Sequence, residues 1–197
     1  MTLPTPIRKP PFNLRMARAW GALTAALLGS IYTPHVRAQA HPTDADVKAA
    51  YLFNFGKFVR YPDTPATSFD ICLVGHDPVA PMLQTGAAEE SIENRPVHVK
   101  QYDKAADARE CAIVFMGSSE ASRIEKDLAA LQGSNALTVS DLPQFIDRGG
   151  MIQFVLQDNR VRFAVNLSSA VKARLALSSE LLKVALYVNS KPSQEAP

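Results

Sequence analysis

The sequence is poor in the residues from which catalytic and metal centres are built. It holds two cysteines and four histidines in 197 residues. His35 belongs to the first forty residues and His41 follows them directly, so only His76 and His98 fall inside the body of the chain. Neither stands at metal-ligand spacing from a cluster of Cys, Asp or Glu. Cys72 and Cys111 do not make a Cys-x-x-Cys pair, which argues against a dithiol redox centre. There is no Gly-x-Gly-x-x-Gly, no Walker A and no Gly-x-Ser-x-Gly, so the common nucleotide-binding and hydrolase signatures are missing. No apolar run approaches the ~20 residues that span a bilayer comfortably. Internal repeats and low-complexity segments are absent as well.

What is present begins with an export signature. Arg8, Lys9, Arg15 and Arg18 come first, with no acid among them. An uncharged stretch follows from Ala19 to His35, with its apolar centre at Trp20–Leu28. Val36-Arg37-Ala38-Gln39-Ala40 then places small residues where a signal peptidase cuts. Residues 1–40 are therefore expected to be a cleaved signal peptide, cut after Ala40. No Cys follows the apolar stretch, which argues against a lipoprotein, and no membrane insertion is expected after cleavage. The whole chain has 21 basic and 19 acidic residues, a formal charge of +2. Five of the basic residues and none of the acids lie in the first forty, which leaves 16 against 19, or −3. The basic character belongs to the signal. The body has no basic stripe, so nucleic acid is excluded as a partner.

Residues 41–190 are long enough for one domain with a substantial core, and 191–197 read as a disordered tail. Val47, Tyr51, Leu52, Phe55 and Phe58/Val59 recur at helical spacing and predict a helix over Asp44–Val59, ended by Tyr61-Pro62. Strands are expected at Phe69–Val74, Val97–Gln101, Cys111–Met116 and Ala136–Val139. Helices are expected between them at Val79–Thr85 and Ser119–Leu131, then at Asp141–Asp147. Strand and helix in alternation imply a mainly parallel sheet covered on both faces. Met151–Leu156 and Arg160–Val165 flank Asp158-Asn159, a hairpin turn. Ser168–Ala176 and Ser178–Val188 close the domain as helices, with Ser168 and Ser178 as N-caps. The fold class is therefore α/β, a Rossmann-like and mainly parallel sheet flanked by helices, with a C-terminal β-hairpin and helices.

Few residues invite a functional reading. In an exported chain an even cysteine count favours a Cys72–Cys111 disulfide, while two buried free thiols are the alternative. His76-Asp77 and Met116-Gly117-Ser118-Ser119 each join a strand to a helix, where α/β folds often hold ligands. Both are also simple tight turns. Ser118 or Ser119 with His76 would make a hydrolase, but nothing local activates either serine. The aromatic first helix and its exit (Phe58, Arg60, Tyr61, Pro62) and the face of the hairpin strand bearing Arg162 and Asn166 are candidate partner-binding positions, because aromatics are enriched in interfaces. No catalytic residue, metal or cofactor is expected.

Several stretches together resemble one family. Val47 through Pro62 (VKAAYLFNFGKFVRYP) is similar to the opening motif of the YfiR-like periplasmic proteins. Ile71–Gly75, Leu137–Asp141, Gly149–Ile152, Val161–Asn166 and Leu177–Leu182 follow in that family's order. The resemblance runs from about Asp44 to Val188. It implies a Rossmann-like domain that dimerises and lies in the periplasm, where it represses an inner-membrane YfiN-like (TpbB) diguanylate cyclase by binding its periplasmic region. A YfiB-like outer-membrane lipoprotein or a redox change would relieve that repression, with cyclic-di-GMP and biofilm rising as a result. Cys72 and Cys111 match the family's cysteine pair by position. A second pair found in some relatives is missing, since Ile146 and Gln153 occupy its region. A periplasmic small-molecule sensor and a hydrolase remain the alternatives.

Overall fold

The computed structural model describes residues 41–62 and 66–190. The expected signal peptide, 1–40, and the expected tail, 191–197, lie outside the described residues. Thr43 opens α1 (Asp44–Phe58) with a full capping box: its hydroxyl accepts from the Asp46 N–H, and the Asp46 carboxylate accepts from the Thr43 N–H at 2.8 Å. The chain leaves α1 directly into the short β1 (Val59–Arg60). Then come β2 (Phe69–Val74), α2 (Val79–Ala87), β3 (Ser91–Ile92) and β4 (Arg95–Tyr102). Glu93 and Asn94, both with positive φ, turn β3 back onto β4.

A 3₁₀ turn at Ala105–Ala108 leads into β5 (Ile113–Met116). After a second 3₁₀ turn at Ser118–Glu120 come α3 (Ile124–Ala130) and β6 (Leu137–Ser140). The hairpin β7 (Ile152–Gln157) and β8 (Arg160–Asn166) turns at Asp158 and Asn159, at φ 49° and 57°, as its sequence predicts. The C-terminal part holds α4 (Leu167–Lys172), β9 (Ala176–Leu177), α5 (Ser179–Val184) and β10 (Val188–Asn189).

Eight strands form one sheet in the order β10-β8-β7-β6-β5-β2-β4-β3. The run from β4 through β2, β5 and β6 to β7 is parallel, and β8 returns antiparallel to β7. This is the expected Rossmann-like α/β architecture. Its central strands are buried on both faces and alternate between two cores, as parallel strands under two helical layers do. Ile71, Leu73, Ile113, Phe115, Leu137 and Val139 face α1 and α2. Cys72, Val74, Val114 and Met116 face α3, the 3₁₀ turn Ala105–Ala108 and Phe145. The first helix is buried on two sides: Phe55 stacks with Phe154 at 5.8 Å over the sheet, while Phe53 packs on Gly86 of α2.

Four expectations need correction. Asp141–Asp147 is a series of turns rather than a helix, because Gln144 sits at φ 61°. The helix expected from Ser119 begins only at Ile124, since Ser118–Glu120 is a 3₁₀ turn and Arg123, at φ −124° and ψ 10°, leaves the helical backbone between them. Ser168 does not cap α4; Asn166 does, its Oδ1 accepting from Ser169 N–H at 3.0 Å, while Ser168 Oγ donates to the Ser190 carbonyl. The last helix, capped by Ser178 as expected, stops at Val184, and Val188–Asn189 instead extends the sheet beside β8.

Candidate functional site

The exit of α1 makes the most open apolar feature among the predicted site residues. Phe58, the last residue of α1, is 43% exposed although its helical neighbour Phe55 is fully buried. Directly after it, β1 pairs antiparallel with β9, Val59 opposite Leu177 and Arg60 opposite Ala176. Ser178 N–H donates to the Phe58 carbonyl at 3.0 Å, so the N-cap of α5 and the C-terminus of α1 fix each other. A groove of about 400 Å³ runs between them, lined by Lys57, Phe58, Arg60, Glu93, Ala176 and Leu177. Lys57 is paired with Glu90 at 2.7 Å. Arg60 is exposed.

Tyr61 lies edge-on to Phe69, ring centroids 5.4 Å apart, and the Arg95 guanidinium lies over the Phe69 ring at 5.3 Å. Its hydroxyl is buried without a hydrogen-bond partner. Burial first, then the nearby Glu93, push its pKa well above the ordinary tyrosine value, so it stays neutral. Pro62 is half-buried. Phe58, Arg60, Tyr61 and Pro62 are thus together at one end of α1.

Arg162 and Asn166 do not join them. Val161, Phe163 and Val165 of β8 turn toward α1, so Arg162 and Asn166 project from the opposite face of the sheet. Asn166 is 1% exposed, and its Nδ2 donates to the Ile146 carbonyl at 2.9 Å. The expectation that Asn166 faces outward is corrected: the 141–150 segment covers it, and it works as a cap and a tie. Sequence reasoning missed β9, reading Ala176 as helical. Arg174 ends α4 in the left-handed region at φ 61°, and an arginine there carries no sequence signal.

The strand-to-helix turns hold no Ser–His pair. The His76 backbone N–H, and not its imidazole, meets Ser119 Oγ at 3.0 Å. Ser119 Oγ in turn donates to Glu120. The His76 imidazole and the serines are therefore not brought together as the hydrolase alternative requires. A larger cavity, about 820 Å³, opens at the amino ends of β2 and β5, lined by Asp70, Arg95, Arg109, Glu110 and Cys111 among others. Asp70 is neutralised there by Lys100 at 2.5 Å. Cys72 and Cys111 are joined as a disulfide, with Cα atoms 6.1 Å apart and both residues buried in the α3-side core. Among the described residues no group of three or more His, Cys, Asp or Glu could hold a metal ion, and no helix is long and apolar enough to cross a membrane.

A family model described as YfiR/HmsC-like matches residues 45–186, from the first turn of α1 to just past α5. The chain belongs to the YfiR/HmsC-like family. Membership supports a regulatory protein of the periplasm. The fold has a solved counterpart, the crystal structure of a conserved domain protein from Vibrio cholerae O1 biovar eltor, at TM-score 0.53 and 12% identity. That likeness covers 74% of this chain and 60% of the other, so this YfiR/HmsC-like chain spans less than two thirds of that protein. No curated protein sequence matches it.

Proposed function

We propose that this protein is a periplasmic repressor that binds the periplasmic region of a YfiN-like inner-membrane diguanylate cyclase and holds its cytoplasmic output off. The observation that carries this reading is the YfiR/HmsC-like match over residues 45–186. The mechanism is differential affinity alone: a protein that binds the off state better shifts the cyclase toward it. No catalysis is involved. The domain acts as a homodimer, and a YfiB-like outer-membrane lipoprotein relieves repression by competing for it.

The exposed Phe58 and Arg60, beside the groove over β1 and β9, are the contact positions of this reading. Aromatic residues and arginine are both enriched in protein–protein interfaces relative to the rest of the surface. The test is deletion of the gene with and without the YfiN-like cyclase, reading cyclic-di-GMP. The expected outcome is a rise that needs the cyclase. No rise, or a rise that persists without the cyclase, overturns the proposal. Phe58→Ala with Arg60→Ala is expected to leave folding intact and to relieve repression. Full repression by a folded double variant would move the interface elsewhere.

A further inference from the structure

Open α/β sheets hold ligands at the carboxyl ends of the strands where strand order reverses. Here that point lies between β2 and β5, since β4 follows on one side of β2 and β5 on the other. The chain's own side chains fill it. A methyl group on Gly75 would lie 2.2 Å from Ser119 Oγ and 2.3 Å from a Glu120 carboxylate oxygen, so that carboxylate is packed on the glycine. Glu120 is 2% exposed and Asp127 of α3 6%. Ser119 Oγ donates to Glu120 at 2.9 Å. Arg123 donates from Nε to Glu120, stands 3.5 Å from Asp127, and donates from its other arm to the Asp103 carbonyl at 2.6 Å. One guanidinium therefore faces two buried carboxyl groups. Oδ2 of Asp127 has no hydrogen-bond partner. Two full negative charges in such a site are strongly disfavoured.

We propose that Glu120 and Asp127 hold one proton between them, and that this proton latches the 3₁₀ turn Ser118–Glu120 to α3, with Glu120 seated on Gly75 at the carboxyl end of the sheet. With the proton on Asp127, its O–H donates to the Glu120 carboxylate and the single negative charge matches Arg123. Burial and Glu120 push Asp127 above the ordinary aspartate value. Burial alone would raise Glu120, but hydrogen bonds from Arg123, Ser119 and Asp127 outweigh it and hold Glu120 low. The other charges acting there are Lys126, on Asp127, and Asp103, on Arg123. Packed on α3, the turn Ala105–Ala108 presents Ala105 and Ala108 inward and leaves Asp107 exposed. His76, from the β2 exit, contributes its backbone N–H while the residue itself is exposed.

The signs fix the pH window. Asp127 is raised, so its contribution is full below the ordinary value of 3.8 and is lost as pH rises through its raised value. Glu120 is lowered, so its contribution is full above 4.5 and is lost as pH falls through its lowered value. The latch is therefore tightest in the acid range that lies between the two steps, and it loosens toward neutral pH. This property belongs to the domain itself and does not depend on which partner it binds.

Carbon-13 NMR titration of the carboxyl groups in the purified protein tests it, together with amide exchange of α3 in wild type and Asp127→Asn. Two separated steps are expected, Asp127 above 3.8 and Glu120 below 4.5. Protection of the α3 amides, corrected for intrinsic exchange, should fall by up to about tenfold per pH unit across the Asp127 step. In Asp127→Asn the amide replaces the carboxylic acid donor, and that fall should vanish. Asp127 titrating at or below 3.8 in the wild type overturns the proposal, whether or not the variant folds. An unchanged fall in a folded Asp127→Asn overturns it equally.

Discussion

Single residues carry more of the sheet's carboxyl end than their types announce. Gly75 stands at φ 80°, and both Ser119 Oγ and a Glu120 oxygen occupy the space where a side chain would begin. An L-residue there meets the left-handed penalty of roughly 1–2 kcal/mol. It must also push a buried, hydrogen-bonded carboxylate aside, which adds an overpacking cost of about 1–3 kcal/mol. Gly75→Ala is therefore expected to destabilise by about 2–5 kcal/mol. A urea-unfolding midpoint should show it, and a loss of only about 1–2 kcal/mol, the backbone penalty alone, would mean that Glu120 moves aside freely. From the sequence, Gly75-His76-Asp77-Pro78 is legible as a tight turn after a strand. That Glu120 reaches back to fill the turn is not legible, because a glutamate just past a serine reads as an ordinary exposed first-turn acid. Tertiary packing, and not local pattern, turns it inward.

At the scale of elements, the strands were easier to place than the helix ends. An apolar run such as Ile113–Met116, buried at every residue, reads as a central strand between two helical layers. The helix ends depend on side chains that arrive from elsewhere. Asn166 shows why: period-two alternation along β8 correctly separates it from Val165, yet the face it joins is covered by the 141–150 turns. Its Oδ1 caps α4 and its Nδ2 ties the Ile146 carbonyl, so one side chain orients both a helix and the loop below it. Asn166→Ala removes a cap worth about 1 kcal/mol and one of two hydrogen bonds to the Ile146 carbonyl, which keeps the Gly149 N–H at 3.3 Å, for a further cost of about 0.5–1.5 kcal/mol. The expected loss is about 1.5–2.5 kcal/mol, read as a lowered melting temperature. Asn166→Ser, which keeps a capping oxygen, should recover only the capping part. Full recovery by serine would show that the tie to Ile146 contributes nothing.

For the whole molecule, the disulfide is a covalent constraint between two neighbouring strands, on one face of the sheet. Cys72 lies in the middle of β2 and Cys111 just before β5, and β2 and β5 are adjacent parallel strands at the centre of the sheet. The pairing was legible from two cysteines in a chain with an export signature; the burial of both, with Cys111 beside the 820 Å³ cavity, was not, since it depends on how the turn Ala105–Ala108 folds over the strand ends. The bond spans 39 residues of sequence, and closing a loop of that size restricts the unfolded chain by about 4 kcal/mol in the chain-entropy model. That loop contains α2, β3 and β4, so the bond also holds one edge of the sheet to its centre. Reduction should lower stability without dissolving the core, because Cys72 and Cys111 as thiols remain small apolar groups packed with Val74, Val114 and Met116. The expected result is a lower melting temperature in dithiothreitol, matched within a few degrees by Cys72→Ala/Cys111→Ala in either condition. The double variant should be insensitive to dithiothreitol. If the proposed repression of a YfiN-like cyclase falls in step with melting temperature across the reduced protein, the double variant and Gly75→Ala, any redox response of this protein with one cysteine pair is a matter of domain stability. If the double variant represses fully at a temperature where most of it is folded while the reduced wild type does not, the thiols themselves would have to act, and the stability account would fail.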